Sequence, residues 1–156
     1  PCVVMVPVVN QLISVVGWTT TGQAATGITF ADMSLLHGGD GGEARFGSYA
    51  GGPAAIVSLG PLASGVSLTR CELGQGGGNG VLIGSSNVTG VLVDSCKVLD
   101  LGGEGVSITN QDTADVMITD NEIGNTGQIY FGQPAIVRLK GRSNLTVQHN
   151  DVHSGR

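Results

Sequence analysis

A phrase of 25 residues is written into this chain again and again. Gly65 to Thr89 reads GVSLTRCELGQGGGNGVLIGSSNVT, and Gly90 to Ala114 reads GVLVDSCKVLDLGGEGVSITNQDTA. From Asp115 the phrase resumes, five residues longer, as DVMITDNEIGNTGQIYFGQPAIVRLKGRSN. It restarts at Leu145 as LTVQHNDV, and an earlier copy stands at Gly27 as GITFADMSL. A fixed period in this range is the mark of a solenoid, because one short repeat cannot bury its own apolar face and must stack on its neighbours. The apolar residues inside each copy alternate with a period of two, the pattern of strands buried on one side. The expected fold is all-β: a right-handed parallel β-helix with about 25 residues per coil and five to six coils. It forms one domain over residues 1–156, read as a fragment truncated at both ends.

The copies align by subtraction. Val66, Val91, Val116 and Leu145 form one inward row, below Ile28. Leu68, Val93, Ile118 and Val147 form a second below Phe30, and Leu73, Val98, Ile123 and Val152 a third below Leu35. A further strand per coil holds Val57 and Leu59, Val81 and Ile83, Val106 and Ile108, then Val137 and Leu139. Leu12 to Val16 supplies the matching strand one coil earlier. Hydrophobic residues make up 40 % of the chain but aromatics only 4 %, so the core is aliphatic. The 27 glycines suit short strands and tight turns; in a helix each would cost about 1 kcal/mol against alanine.

Met33, Cys71, Cys96, Asn121 and Asn150 share a column at a sharp bend. Inward Asn side chains there can bond to one another and to bend backbone, which avoids leaving buried polar groups unpaired at about 1–3 kcal/mol each. Cys71 and Cys96 admit two readings, a bridge or buried thiols; stacked parallel strands point both Cβ atoms the same way, which favours thiols. Gly39, Gly77, Gly102 and Gly127 form a second column, read as a bend of positive φ. Glu72, Lys97, Glu122 and Asp151 form an outward column of mixed charge, a cross-strand ladder. Asp32, Arg70, Ser95, Asp120 and His149 line the bend as exposed turn residues.

Several function classes are excluded or left without support. A net charge of −5 argues against nucleic acid, which needs a basic face. No apolar run reaches the roughly 18 residues of a membrane span. PCVVMVPVV at the start lacks a Met, a basic leader and a cleavage site, so it is not a signal peptide but a strand of a longer protein. There is no phosphate loop, dinucleotide fingerprint or CxxC pair, so no cofactor is expected. His149 and His153, four apart across a bend, give a slight hint of metal or acid–base chemistry, and no metal site is assigned. Asn87-Val88-Thr89 and Asn144-Leu145-Thr146 are glycosylation sequons in turns, relevant only in a secretory eukaryotic protein. Oligomeric state is left open.

Chemistry is expected where the period breaks, because variable loops on a constant scaffold are where sites are grafted. The breaks are the insertions at residues 38–53 and 124–134. Alternation places Arg138, Lys140 and Arg142 on one outward side, with Arg138 in the row of Ser58, Leu82 and Ser107. Such a basic cluster suits the carboxylates or sulfates of an anionic polysaccharide. Tyr130 and Phe131 precede it and can stack on sugar rings. Glu104, Asp112 and Asp115, with Asp40 and Glu43, are the carboxylates near these loops. Glycoside hydrolysis needs two carboxyl groups about 5–9.5 Å apart, and Glu104 with Asp112 or Asp115 is the candidate pair. The catalytic candidates are therefore Glu104, Asp112, Asp115 and Arg138; the substrate contacts are Lys140, Arg142, Tyr130, Phe131 and Ser107.

The phrases ITDNEIGNTG and VQHNDVHSG resemble the repeat of the pectate-lyase-like right-handed parallel β-helix superfamily. VPVVNQLISVVG, ATGITFADMSL, AAIVSLG and KVLDLGGEGVSI resemble β-helix proteins related to glycoside hydrolases. The matched positions are core, bend and glycine, so the resemblance implies fold more than activity. It implies a secreted, carbohydrate-active protein, extracellular or at the cell surface. The calcium-binding aspartates and catalytic arginine motif of pectate lyases, the paired aspartates of polygalacturonases and an epimerase acid–histidine motif are all missing. Two functions stay open. The first is an enzyme fragment acting on a polysaccharide, as a hydrolase in preference to a lyase. The second is a non-catalytic module that binds glycans or spaces other domains.

Overall fold

The computed structural model describes residues 9–38, 54–130, 132–138 and 143–155. The first coil holds β1 (Ile13–Val15), β2 (Ala25–Thr26), β3 (Thr29–Ala31) and β4 (Ser34–Leu36). The second holds β5 (Ala55–Leu59), β6 (Ala63–Ser64), β7 (Ser67–Thr69) and β8 (Glu72–Gly76). The third has β9 (Asn79–Ile83), β10 (Thr89–Asp94) and β11 (Lys97–Leu101). The fourth has β12 (Val106–Ile108), β13 (Ala114–Thr119) and β14 (Glu122–Gly124). The fifth has β15 (Ile136–Arg138), β16 (Ser143–Gln148) and β17 (Asp151–His153).

Every pairing joins a strand to its counterpart one coil away, in parallel. The first sheet runs β1-β5-β9-β12-β15 and the third β17-β14-β11-β8-β4. The second runs β16-β13-β10, then divides between β6-β2 and β7-β3. This is a three-sheet parallel β-helix, five coils deep among the described residues. No helix there is long and apolar enough to cross a membrane.

The inward rows are those the alternation predicts. Val66, Leu68, Leu73, Val93, Val98, Ile118 and Ile123 are all 0 % exposed. Each such side chain stabilises the stack by about 1.5–3 kcal/mol relative to exposure. Val147 and Val152 continue the same rows in the fifth coil but are 46 % and 53 % exposed, because that coil has a described neighbour on one side only.

The bend column is a ladder of side chains and backbone. Cys71 N–H donates to Cys96 Sγ at 3.4 Å, Cys96 N–H to Asn121 Oδ1 at 2.8 Å, and Asn121 N–H to Asn150 Oδ1 at 3.0 Å. Each side chain also donates backwards: Cys96 Sγ to the Leu68 carbonyl at 3.5 Å, Asn121 Nδ2 to that of Val93 at 2.9 Å, and Asn150 Nδ2 to that of Ile118 at 2.8 Å. Thiol and carboxamide thus fill one role, with the amide making the shorter bonds. Both cysteines are free thiols. Burial pushes the Cys96 thiol up to about 11. Cys2 lies outside the described residues.

Two expectations need correction. The residues with positive φ near the ends of the third-sheet strands are Gln75 within β8, Asp100 within β11 and Asn125 just after β14, at 51–57°. Of the expected glycine column, Gly127 has positive φ (70°), Gly77 and Gly102 do not, and Gly39 lies outside the described residues. Gly102 is needed for a different reason. A Cβ there would run into the Gly77 carbonyl of the coil below, so Gly102 is required by close approach of backbones rather than by reversed φ.

The second correction concerns register. Ser58, Leu82 and Ser107 share a row as expected, but their partner in the fifth coil is Val137. Arg138 pairs with Ile108, in the row of Leu59 and Ile83. The strand is entered one residue sooner than the Val137–Leu139 alternation suggests, since Val106 N–H already bonds to the Ala135 carbonyl at 2.8 Å. A slip of one residue exchanges the two faces of a strand, so Arg138 does not share a row with Ser107.

Candidate functional site

The bend leading into the second sheet is where backbone requirement and polar chemistry coincide. Its left-handed residues are Gly27, Gly65 and Gly90 at 61–66°, then Asp115 at 55° and Asn144 at 53°. Asp and Asn tolerate this region better than other residues with a Cβ, so they replace glycine without breaking the stack. Replacement adds a side-chain hydrogen bond: Asn144 Nδ2 donates to Asp115 Oδ1 at 2.7 Å, tying one coil's side chain to the next. Thr146 carries the hydroxyl of the Asn144 sequon.

Next to this pair lies the outward row of the second sheet: Ser67, Leu92, Met117 and Thr146, all in register. Val116 and Ile118 point inward at 2 % and 0 %, which leaves Met117 outward and 45 % exposed. Gly90, Val91, Leu92, Asp115, Met117, Asn144 and Thr146 line a pocket of about 320 Å³. Its lining combines apolar side chains with a carboxylate, an amide and a hydroxyl.

A second depression, about 340 Å³, lies at the bend between the second and third sheets and is lined by Asp32, Met33, Ser34, Arg70, Cys71, Glu72, Ser95 and Lys97. Arg70 clamps Asp32 with two bonds of 2.7 Å. The Arg70 hydrogen bonds, and then its charge, hold the Asp32 carboxyl below its ordinary value. Ser34 Oγ donates to Glu72 at 2.9 Å, and Lys97 Nζ pairs with Glu122 at 3.5 Å. The expected column Glu72, Lys97, Glu122 and Asp151 is in register, and within it Lys97 and Glu122 form the ion pair; His153 Nε2 is also 3.7 Å from Glu122. Asp32 and Arg70 are 38 residues apart across an insertion, which is why a fixed 25-residue spacing does not pair them.

The carboxylates singled out from the sequence stand on three separate segments. Glu104 precedes β12, Asp112 sits in the turn after it, and Asp115 lies within β13. Asp112 N–H bonds to Asn110 Oδ1 at 2.9 Å, a local turn. Glu104 is 3 % exposed. Its own N–H bonds to Asn79 Oδ1 of the preceding coil at 2.7 Å, and its carbonyl accepts from Gly80. The following coil covers it: Gly105 N–H reaches the Pro134 carbonyl, and Gly127, Gln128, Ile129 and Tyr130 all donate to carbonyls of residues 101–103. Desolvation therefore pushes the Glu104 carboxyl above its ordinary value. The buried Ser107 side chain, 1 % exposed, acts in the opposite direction to a smaller extent than desolvation. Tyr130 is buried at 6 %. Phe131, Lys140 and Arg142 lie outside the described residues, as do Asp40 and Glu43. Among the described residues no group of three or more His, Cys, Asp or Glu side chains could hold a metal ion.

Burial of Glu104 has a pH consequence. A carboxyl whose folded pKa is raised stabilises the fold least when ionised: its contribution is complete below the ordinary value of 4.5 and is lost as pH rises through the folded pKa. Each unit of elevation corresponds to about 1.4 kcal/mol. Glu104→Gln keeps the shape and removes the titration. Its melting temperature should exceed that of the unmodified chain at pH 8 and approach it at pH 4. Parallel pH profiles for the two proteins would show that Glu104 is solvated in the fold.

Stacked coils of constant core with polar bends define a class, the parallel β-helix proteins. Residues 52–156 match the family model described as "Right handed beta helix region", and the chain belongs to that family. No curated protein matches the chain. Among solved structures it is similar to an alginate lyase from Paenibacillus sp. str. FPU-7, at 16 % identity and a TM-score of 0.46. That match covers 80 % of this chain and 52 % of the lyase, so the chain spans about half that enzyme's length.

Proposed function

We propose that this β-helix binds polysaccharide on the outer face of its second sheet, as part of an extracellular or cell-surface carbohydrate-active protein. The observation that carries the reading is the pocket at Met117, Asp115, Asn144 and Thr146. A pyranose has an apolar C–H face and a rim of hydroxyls, and it needs an aliphatic platform edged by acceptors and donors. Leu92 and the exposed Met117 supply the platform; Met is well suited because its unbranched side chain adapts to irregular surfaces. The Asp115 carboxylate and the Asn144 and Thr146 groups supply the edge. Successive coils stand about 4.8 Å apart, close to the rise of one sugar residue along an extended β-1,4-linked chain, so a linear glycan can follow the stack.

Cleavage is a second reading, favoured by one observation: Asp32 and Glu72 line the same depression with Arg70 and Lys97. Arg70 keeps Asp32 ionised, as a base or nucleophile must be, and Glu72 is the remaining carboxyl for the acid role. One experiment tests both. Neutral and uronic hexaoses are titrated against the chain by calorimetry, and the mixtures are then analysed for new reducing ends and for unsaturated products. Binding that weakens about tenfold in Met117→Ala supports recognition at the second sheet. Absence of binding by any hexaose removes that reading. Absence of products removes cleavage.

A further inference from the structure

We infer that the glycan taken by the second-sheet pocket is uncharged, and that the site discriminates against uronates and sulfated sugars. This rests on the proposed reading of that pocket and adds the substrate class. Seven described residues line the pocket, and Asp115 is the one ionisable side chain among them. Among the described lining residues there is no Lys, Arg or His to pair with a carboxylate or sulfate on the ligand. The remaining polar groups, Asn144 and Thr146, are neutral. The Asn144 amide already points one N–H at Asp115, at 2.7 Å, which fixes the carboxylate in the lining. A carboxylate acceptor held there suits sugar hydroxyls, which donate to it with charge-assisted bonds. An anionic sugar in the same place would bring like charges within several ångströms at the protein surface, a repulsion worth about tenfold in affinity.

The opposing expectation is an anionic polysaccharide held by Arg138, Lys140 and Arg142. The two differ in sign. Repulsion is screened by salt, so uronate binding at this pocket should strengthen as salt rises; attraction to a basic cluster should weaken.

The test uses the whole chain with cellohexaose, xylohexaose, mannohexaose and hexagalacturonate, titrated at low and high sodium chloride. The expected result is a neutral hexaose bound about tenfold more tightly than hexagalacturonate at low salt. Asp115→Asn is the diagnostic variant. Asn keeps the left-handed bend and an oxygen for Asn144, so the fold is retained. It should lose about tenfold for the neutral hexaose, since a charge-assisted bond is replaced by a neutral one, and gain for hexagalacturonate, so that the preference collapses or inverts. Equal or tighter binding of hexagalacturonate by the unmodified chain, falling with salt and weakened by Met117→Ala, would overturn the neutral class while leaving recognition at the pocket intact. Failure of all four hexaoses to bind would overturn the recognition reading itself.

Discussion

Replacing Asn121 with alanine should destabilise the β-helix by about 3–5 kcal/mol, the largest loss expected from any single polar position. The Asn121 side chain is 2 % exposed and serves three partners. Its Oδ1 accepts the Cys96 N–H at 2.8 Å; its Nδ2 donates to the Val93 carbonyl and to Asn150 Oδ1, both at 2.9 Å. Alanine leaves the Cys96 N–H and the Val93 carbonyl buried without these bonds, and each such group costs about 1–3 kcal/mol. A cavity adds to that. Asn121→Cys should lose less than half as much, since Cys96 already fills the same place one coil earlier, with its thiol donating to Leu68 and accepting from Cys71. Midpoints of urea unfolding for both variants decide it. A loss below about 1 kcal/mol for Asn121→Ala would mean that the ladder decorates the stack without holding it.

Gly102→Ala should cost about 3 kcal/mol by a mechanism that has nothing to do with φ. The added methyl would meet the backbone carbonyl of Gly77, and backbone cannot swing aside as a side-chain tip can. The coils must part there, at a position where Gly102 N–H bonds to Gly76 at 2.8 Å and the Gly102 carbonyl accepts from Tyr130 at 2.9 Å and Ile129 at 3.1 Å. Gly84 is the control. An alanine Cβ there meets the side-chain atoms of Leu82 and Thr109 at 3.3 Å, which can adjust, and its φ is not reversed. Gly84→Ala should stay within about 1 kcal/mol of the unmodified chain. Equal effects at the two glycines would mean that coil spacing relaxes freely, contrary to the close approach at Gly102.

Much of the stack was legible before any coordinates. The rows beginning at Val66, Leu68 and Leu73 follow from period-two alternation repeated every 25 residues, because a parallel solenoid places identical offsets directly above one another. The Cys-Cys-Asn-Asn column and the Glu72–Lys97–Glu122 ladder follow from the same arithmetic. The arithmetic failed where the period is interrupted. Arg70 finds Asp32 across a 38-residue interval, and Arg138 joins the row of Ile108 rather than that of Ser107.

The site divides along the same line. Asp115 and Asn144 are visible in the sequence as polar residues in a column of glycines, a signal that the bend tolerates Asp and Asn and that something other than conformation selects them. That Met117 stands beside them on the outer face also follows from alternation. Their closure into a pocket needs coordinates, because it depends on how far one coil is offset from the next.

The amino-acid sequence alone determined that this chain is a β-helix, which residues face its core and which column holds its bends together. These are consequences of periodicity, and periodicity is a one-dimensional property. Only the tertiary structure decided that Glu104 is sealed between coils, that Gly102 is required by a neighbouring carbonyl, and that Asp115 opens onto an apolar platform while Asp32 is clamped by Arg70. Those outcomes depend on distances between coils, which the alignment of repeats does not contain.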